Sequence, residues 1–317
     1  MADHLAFNCT TCQIYPLSTS VTVILLLMCL LTLVGGVIAA TAVANNSRLY
    51  KATRYIHVSV LGSTLLNGIV TVPFLTAMLN LPESFRSYSA CIIANSFILL
   101  TISSFAFNTL LSSACVFYQV MHPFKASLDE TTKRFLAAAI VTWVASAVVS
   151  FIPATPWNSY YQSRNDEDFF CFPILVPTTG YFVLLTYCLM LPTLVVGYIV
   201  YFRAHIEIRK VIRQINTTYP VTSPCNSVIQ GKSTRNTATL ILIVSVLFLG
   251  WIPIFVIFSL TYFCVECVNP FAVLKALTLI FGIVCPLGSM MYCLRLKENR
   301  VVIRRIVFSC KCKDGPP

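Results

Sequence analysis

The side chains best able to do chemistry are few and widely spaced. The 317 residues include 4 histidines and 11 acidic residues. No catalytic Asp pair, Ser/His set or His-based metal motif assembles from them, so the sequence predicts no enzyme and no cofactor. The histidines stand at positions 4, 57, 122 and 205, and the acids at 3, 83, 129, 130, 166, 167, 168, 207, 266, 298 and 314.

Two pairs of cysteines have a spacing that suits a shared bond. Cys9 with Cys12, and Cys264 with Cys267, each form a C-x-x-C motif. This spacing is typical of either a short-loop disulfide or half of a metal site. No histidine lies near Cys264. We therefore favour disulfides over a metal at both pairs.

The elements that hold these residues must lie in lipid. The chain is 57% apolar and only 10% charged, and a soluble domain could not cover its surface with so few charges. Its net charge of +11 is not gathered into basic runs beside aromatics, so nucleic acid is excluded as a partner. Neither a basic n-region nor a cleavage site precedes the first apolar stretch, which argues against a cleaved signal peptide.

Seven apolar windows are long enough to cross a bilayer. About 20 residues of helix span about 30 Å of hydrocarbon. Each window must be helical, because lipid offers no partner for free backbone groups. The sequence predicts an all-α membrane protein, with a seven-helix bundle at 20–293 between an outside tail at 1–19 and an inside segment at 294–317. The predicted spans are 20–44, 55–79, 91–118, 135–155, 178–202, 237–262 and 270–293.

Basic residues lie beside alternate ends of these spans. Of the 22 Lys and Arg residues, all except Arg86, Arg164 and Lys275 follow odd-numbered spans. Cytoplasmic loops are enriched in Lys and Arg. The sequence therefore predicts a multi-pass plasma-membrane protein with its N-terminus outside the cell and its C-terminus inside.

The predicted outside segments have the features of an oxidising compartment. Asn8 begins the glycosylation sequon Asn8-Cys9-Thr10 in the outside tail. Cys91, at the outer end of span 3, and Cys171, in the loop after span 4, form the strongest predicted disulfide pair.

On the inside, residues 295–308 form a basic amphipathic stretch. We predict that it lies along the membrane surface as a short helix 8. Cys310 and Cys312 follow it, and they are either palmitoylation sites or free thiols.

Several landmarks resemble those of rhodopsin-like (class A) G-protein-coupled receptors, over nearly the whole chain. Trp143 and Pro153 resemble that family's span 4 tryptophan and proline, and Pro192 its span 5 proline. Gly250-Trp251-Ile252-Pro253 resembles the family's Cys-Trp-x-Pro, where the proline kinks the helix and the tryptophan is the floor of a ligand cavity. His122-Pro123-Phe124 resembles the start of its second cytoplasmic loop.

The departures from the family fall in its polar activation machinery. Counting from Cys91 by the family's spacing, Cys115-Val116-Phe117 replaces Asp-Arg-Tyr, so the arginine that engages the G protein is missing. Gly36 replaces the span 1 asparagine and Thr64 the sodium-binding aspartate, so the usual sodium site is not expected. The resemblance implies that the G-protein-facing residues are Cys115, Val116, Phe117, His122 and Pro123.

Span 7 allows two alignments with the family's Asn-Pro-x-x-Tyr. One keeps the proline in Cys285-Pro286-Leu287-Gly288-Ser289, and the other keeps the tyrosine in Gly288-Ser289-Met290-Met291-Tyr292. We prefer the second, which makes Tyr292 a switch residue together with Trp251 and Pro253. The segment from Tyr292 to Glu298 then resembles the tyrosine and start of helix 8 in odorant-type receptors. Arg54-Tyr55-Ile56, at the start of span 2, is similar to some vertebrate, especially fish, odorant-receptor-like and orphan sequences.

Family position places a ligand cavity among the helices. No acid lies in a predicted span, so a cationic amine would lack a counter-ion there. Lys275 is either a counter-ion for an acidic or polar ligand or a residue that snorkels to the interface. A small hydrophobic ligand suits the expected lining. The resemblance implies that this lining includes Ile98, Ile102, Tyr187, Trp251 and Phe255.

These features predict a G-protein-coupled receptor that binds a small extracellular ligand and signals to a heterotrimeric G protein. A chemosensory, odorant-like role is a narrower hypothesis. The alternative is a seven-helix binding or scaffolding protein that does not activate G proteins, because Val116 replaces the arginine. Transporters and channels are excluded, since they need ionisable groups or broken helices inside the membrane.

Overall fold

The computed structural model describes residues 17–45, 50–80, 88–122, 125, 128–155, 157–158, 176–218, 252–261, 263 and 270–295, and the statements below concern these residues. It confirms the all-helical, seven-helix fold. Five helices are long and apolar enough to cross a membrane, and two shorter apolar stretches lie at Ile252–Thr261 and Ala272–Val284. The predicted helix 8 lies outside the described residues. We number the helices α1 (Thr19–Ala44), α2 (Lys51–Asn80), α3 (Tyr88–Met121), α4 (Asp129–Ala154), α5 (from Thr179 to Thr218), α6 (Ile252–Thr261) and α7 (Pro270–Arg295).

Several helices are longer than the apolar windows predicted. Helix α4 begins at Asp129 instead of 135, and α5 continues to Thr218 instead of ending at 202. The added turns carry charged residues that a hydropathy window rejects. Backbone hydrogen bonding continues past the hydrocarbon, because a helix satisfies its own N–H and C=O groups in water as well as in lipid.

Helix α3 forms the centre of the bundle. Of its most apolar stretch 72% is buried, compared with 22% for α1 and 17% for α4. The outer face of α4 leaves Val141 64% and Val148 63% exposed. Such a surface matches lipid tails, so helix association here depends on packing and interhelical hydrogen bonds and not on apolar burial.

A polar network at Asn108 joins α2, α3 and α4. Trp143 Nε1 donates to Ser59 Oγ at 2.8 Å, and Ser59 Oγ donates to Asn108 Oδ1 at 2.7 Å. Asn108 Nδ2 in turn donates to the carbonyl of Ser104 at 2.8 Å. The tryptophan that resembles a family landmark is therefore the α4 end of a hydrogen-bonded chain. In lipid each such bond between helices contributes about 0.6 kcal/mol.

Two π-helical turns, each with a proline just after it, widen the bundle. In α2 the π turn is Asn67–Thr71 and Pro73 follows; in α5 it is Leu184–Met190 and Pro192 follows. Proline has no N–H, and its ring meets the carbonyl four residues earlier. One extra residue in the preceding turn separates the two groups and rotates the side chains that come before it.

The helices alternate in direction, so the bundle has two distinct ends. At one end Lys51 Nζ lies 3.1 Å from Asp129 Oδ1, which joins the starts of α2 and α4. At the other, Asn158 Nδ2 donates to Tyr88 Oη at 2.9 Å, which joins the segment after α4 to the start of α3. We call these the Lys51 end and the Cys91 end, after Cys91 in the first turn of α3.

Helix α1 packs against its neighbours through glycines. A Cβ added to Gly68 in α2 would lie 2.6 Å from Thr32 Cγ2 and 3.0 Å from Thr32 Cβ. One added to Gly282 in α7 would lie 2.6 Å from Leu25 Cδ2. A leucine tip can rotate away, but the branched carbon of threonine is stiff. The α1–α2 contact at Gly68 is therefore less able to accept a larger side chain than the α1–α7 contact at Gly282.

We expect Gly68→Ala to destabilise the protein by about 1–3 kcal/mol, because the added methyl group overpacks the contact. The higher helix propensity of alanine offsets up to about 1 kcal/mol of this loss. Thermal unfolding of the purified protein measures the loss. Thr32→Ser removes Cγ2 while keeping the Oγ that donates to the Met28 carbonyl at 2.8 Å, so the double variant should recover most of the stability. Gly180→Ala is the matched control, because nothing lies within 4 Å of its added Cβ. Equal melting temperatures for the Gly68 and Gly180 variants would contradict the close contact.

Candidate functional site

A cavity lies between the helices in the half of the bundle nearest the Cys91 end. Helices α2, α3, α5, α6 and α7 all contribute to its wall. The cavity is partly open, and its described lining is almost entirely apolar. Ligand sites in helical bundles are usually concave, largely apolar spaces of this kind. Its aliphatic lining includes Ile98, Leu99 and Ile102 of α3, Leu185 and Met190 of α5, and Ile254 of α6.

The structure brings some of the predicted pocket residues to this cavity. Ile98 and Ile102 line it from α3, and Phe255 lines it from α6. Tyr187 is not among the lining residues: its hydroxyl is hydrogen-bonded to the hydroxyl of Ser259 on α6. The π turn explains the difference, because it presents the neighbouring Thr186 to the cavity in place of Tyr187.

Lys275 also lies away from the cavity wall. Leu277, two residues later, lines the cavity, as does Phe281 one turn further on. Two residues correspond to a rotation of about 200° around a helix, so Lys275 is on another face of α7. That placement favours the interface over a ligand counter-ion. Trp251, the predicted floor, lies outside the described residues, and so does the side chain of Tyr292.

The sequence analysis missed two polar residues of the lining. Asn95 and Thr186 both face the cavity. Asn95 is 2% exposed, and its Nδ2 has no hydrogen-bond partner among the described residues. A signal for Asn95 existed, because it precedes Ile98 by three residues and Ile102 by seven and so shares their helix face. Thr186 had no such signal, since its direction depends on the π turn.

The mouth of the cavity is held by contacts at the Cys91 end. Tyr181, a lining residue, donates its hydroxyl to the Val149 carbonyl at 2.7 Å and meets the ring of Trp157 edge-on at 5.9 Å. Asn158 and Pro177 form a backbone bridge. Cys91 is disulfide-bonded, and its partner lies outside the described residues. The segments on both sides of the loop 159–175 are thus fixed to α3 and α5.

The Lys51 end has a neutral contact between α2 and α3, close to the position of the family's Asp-Arg-Tyr. Gln119 Nε2 is hydrogen-bonded to Thr53 Oγ1 of α2 and lies 3.2 Å from Cys115 Sγ. Cys115 is 1% exposed, so it lies in the packed interior and not on a face open to a partner. The predicted G-protein-facing set is therefore divided. Val116 and Phe117 are half-buried, His122 is exposed, and Pro123 lies outside the described residues.

Aromatic contacts at the end of α3 and between α3 and α4 also stabilise the Lys51 end. Tyr118 meets Phe135 of α4 at 5.7 Å and His122 at 5.2 Å, both edge-on. The side chains of Lys51 and Asp129 are 60% and 78% exposed. An ion pair so exposed to solvent contributes little to stability. At this end the Tyr118–Phe135 ring contact joins α3 to α4, whereas the exposed ion pair joins α2 to α4.

The chain is similar to known receptors along most of its length. Residues 35–291 match the family described as 7 transmembrane receptor (rhodopsin family). Adenosine receptor A2a of Canis lupus familiaris is 24% identical over 298 residues, which are 90% of this chain and 71% of the receptor. Adenosine receptor A2a of Homo sapiens is 23% identical, over 92% of this chain and 73% of the receptor.

Adenosine receptor A2b of Gallus gallus is 23% identical over 317 residues, covering 94% of this chain and 91% of the receptor. These relatives do not show the odorant-type resemblance expected around Tyr292. The matched family consists of receptors and not of enzymes, as predicted. With its matched segment covering most of the seven-helix bundle, the chain belongs to the rhodopsin family of seven-transmembrane receptors.

Proposed function

We propose that this receptor binds a small extracellular ligand in the cavity and signals to a heterotrimeric G protein at the Lys51 end. The cavity itself carries the proposal. It joins five helices, including α5 and α6, so an occupant can change how these helices pack against α3. A ligand shifts a conformational equilibrium only if it contacts the two states differently, and a site shared by several helices allows this.

The orientation of the receptor follows from its charges. Lys51, Arg54 and Arg134 lie at the Lys51 end, and Arg203, Arg209, Lys210 and Arg213 extend α5 beyond the same end. Lys275 is the one basic residue near the Cys91 end in the described helices. By the positive-inside rule the Lys51 end faces the cytoplasm, and the N-terminus and the cavity mouth face outside.

Modifications suit this orientation. We propose Cys171 as the disulfide partner of Cys91, since Cys91 is disulfide-bonded and Cys171 is the cysteine in the predicted outside loop after span 4. Glycosylation of Asn8 and disulfides within the pairs Cys9/Cys12 and Cys264/Cys267 belong to the same outside face. Palmitoylation of Cys310 and Cys312 belongs to the inside. Apart from Cys91, all these residues lie outside the described part of the chain.

A second function is supported by the neutral Lys51 end. Val116 stands at the arginine position, and the Gln119–Thr53 contact joins α3 to α2 without a charge. A receptor built in this way could bind ligand or scaffold partners without activating G proteins. Dissociation of the G-protein heterotrimer, measured in cells across the Gα families at normal surface expression, separates the two functions. Signal in no Gα family, either basal or ligand-driven, would leave only the scaffold.

Adenosine is the first ligand to test, because the relatives are named as adenosine receptors. Binding of adenosine would extend the relatives' ligand to this chain. A chemosensory role is the narrower alternative, and transcripts absent from sensory epithelium would exclude it.

We expect Cys91→Ser to reduce surface expression at least severalfold, because losing a native disulfide typically costs about 2–5 kcal/mol. Flow cytometry of an N-terminally tagged receptor measures it. Cys171→Ser should have the same effect, and the double variant should be no worse than either single one. Cys188→Ser is the control, since Cys188 is an exposed free cysteine. A Cys171→Ser receptor that reaches the surface normally would refute the proposed pairing.

We expect Val116→Arg to leave basal G-protein signalling unchanged within about twofold. The neighbouring Cys115, Gln119 and Thr53 form a neutral cluster that offers an arginine no carboxylate. The assay is heterotrimer dissociation at matched surface expression, with Val116→Leu as the control for side-chain size. A clear gain of basal signalling in the arginine variant alone would show that the usual polar switch is still intact around this position.

A further inference from the structure

We infer that the ligand is a neutral, ring-bearing and largely apolar molecule with one principal hydrogen-bond acceptor, which meets Asn95. This inference rests on the proposed function, since it concerns the same cavity. The inference is more specific than the proposed function, because the side chains of the cavity wall favour one chemical class of ligand.

The described part of the wall carries no ionisable carboxylate, amine, guanidinium or imidazole, since its lining residues include no Asp, Glu, Lys, Arg or His. An ion moved from water into such a site loses its hydration and gains no counter-charge. Lys275 does not supply one, because it lies on a different face of α7 from Leu277 and Phe281. The described part of the wall therefore favours a neutral ligand.

The polar groups of the wall are few and mostly satisfied. Polar side chains in the described lining come from Asn95, Tyr181 and Thr186. Tyr181 uses its hydroxyl hydrogen on the Val149 carbonyl. A threonine hydroxyl within a helix can bond to a backbone carbonyl of the preceding turn, as other threonines of this bundle do. Asn95 Nδ2 is different, because it is buried without a partner among the described residues.

A buried amide without a hydrogen-bond partner favours a ligand that can accept a hydrogen bond from it. A carbonyl or ether oxygen on the ligand can accept from Asn95 Nδ2, and such a bond forms in a site with little competing water. A nucleoside has several ring nitrogens, an amine and ribose hydroxyls. Most of these groups would lose water and find no partner in this wall. The mismatch counts against adenosine and in favour of a molecule with a single acceptor.

Phenylalanine rings from three helices line the cavity. Phe182 of α5 and Phe258 of α6 both line the cavity, with their ring centroids 6.0 Å apart. Phe255 and Phe281 line it as well. Offset and edge-on ring contacts stabilise aromatic partners beyond the area they bury. A ligand with one or two rings fits these residues better than a flexible aliphatic chain does.

A pair of probes with the same skeleton tests the inference. Benzophenone has two rings and one carbonyl acceptor, whereas diphenylmethane has the same rings and no acceptor. We expect the full-length purified receptor in detergent to melt at a higher temperature with benzophenone than with diphenylmethane. From the melting shifts, the Kd of benzophenone should be about threefold to tenfold lower, as one hydrogen bond implies. Irradiated benzophenone should also label a peptide that contains Met190.

Variants locate the effect. Asn95→Leu keeps a similar volume and removes the amide, so the two probes should then shift the melting temperature equally. Asn80→Leu is the matched control, because Asn80 donates to Thr22 and to the Thr76 carbonyl away from the cavity. It should keep the full preference for benzophenone. Since the probe pair is compared first in the unmodified receptor, the test stands even if Asn95→Leu does not fold.

Three results would overturn the inference: no shift with benzophenone, equal shifts with both probes in the unmodified receptor, or a larger shift with adenosine than with benzophenone. These outcomes are separable from failure of the proposed function. Adenosine-driven G-protein dissociation would refute the ligand class and leave the receptor function standing. Asn95-dependent benzophenone binding without any G-protein dissociation would support the ligand class and count against the proposed signalling.

Discussion

The lack of hydrogen-bond partners in lipid is the constraint on which this structure depends. It requires every crossing segment to be a helix, and it requires polar side chains between the helices to satisfy one another. The chain from Trp143 through Ser59 to Asn108 does so across three helices. Thr71 with Thr101, at 2.6 Å, and Ser103 with Ser150, at 2.8 Å, join helix pairs in the same way. Asn95 lines the cavity, and its buried Nδ2 has no such partner in the described helices.

Two local features shape the bundle around the cavity: close glycine contacts at α1 and a π turn in α5. Glycines let α1 approach α2 and α7 closely, which draws that side of the bundle together. The π turn in α5 works differently, since it inserts a residue before Pro192 and rotates Leu185 and Thr186 towards the interior. Tyr187 then reaches Ser259 and joins α5 to α6 outside the cavity wall. Close packing on one side and a widened turn on the other leave the space among α3, α5 and α6.

Much of this fold could be predicted from the sequence, because hydropathy reports directly on lipid contact. The spans and the central apolar residues Ile98 and Ile102 followed from window length and family position. What could not be predicted depends on contacts between helices. The π turn that exchanges Thr186 for Tyr187 is a local choice, decided by how α5 packs around Pro192 and not by periodicity. The missing partner of Asn95 Nδ2 is likewise visible only once the neighbouring helices are in place.

The two ends of the bundle differ in how their buried polar side chains are paired, and this difference is relevant to how the receptor switches between conformations. In the half near the Cys91 end, an unpaired amide and an apolar wall leave a requirement that a ligand can satisfy. At the Lys51 end, Gln119 and Thr53 satisfy each other, and Cys115 is buried beside them. A neutral hydrogen bond between α2 and α3 is less costly to break than a buried ion pair, because neither partner is left as an uncompensated charge. A change in the packing of α3 beneath the cavity could therefore open this contact without the charged groups that the family commonly uses.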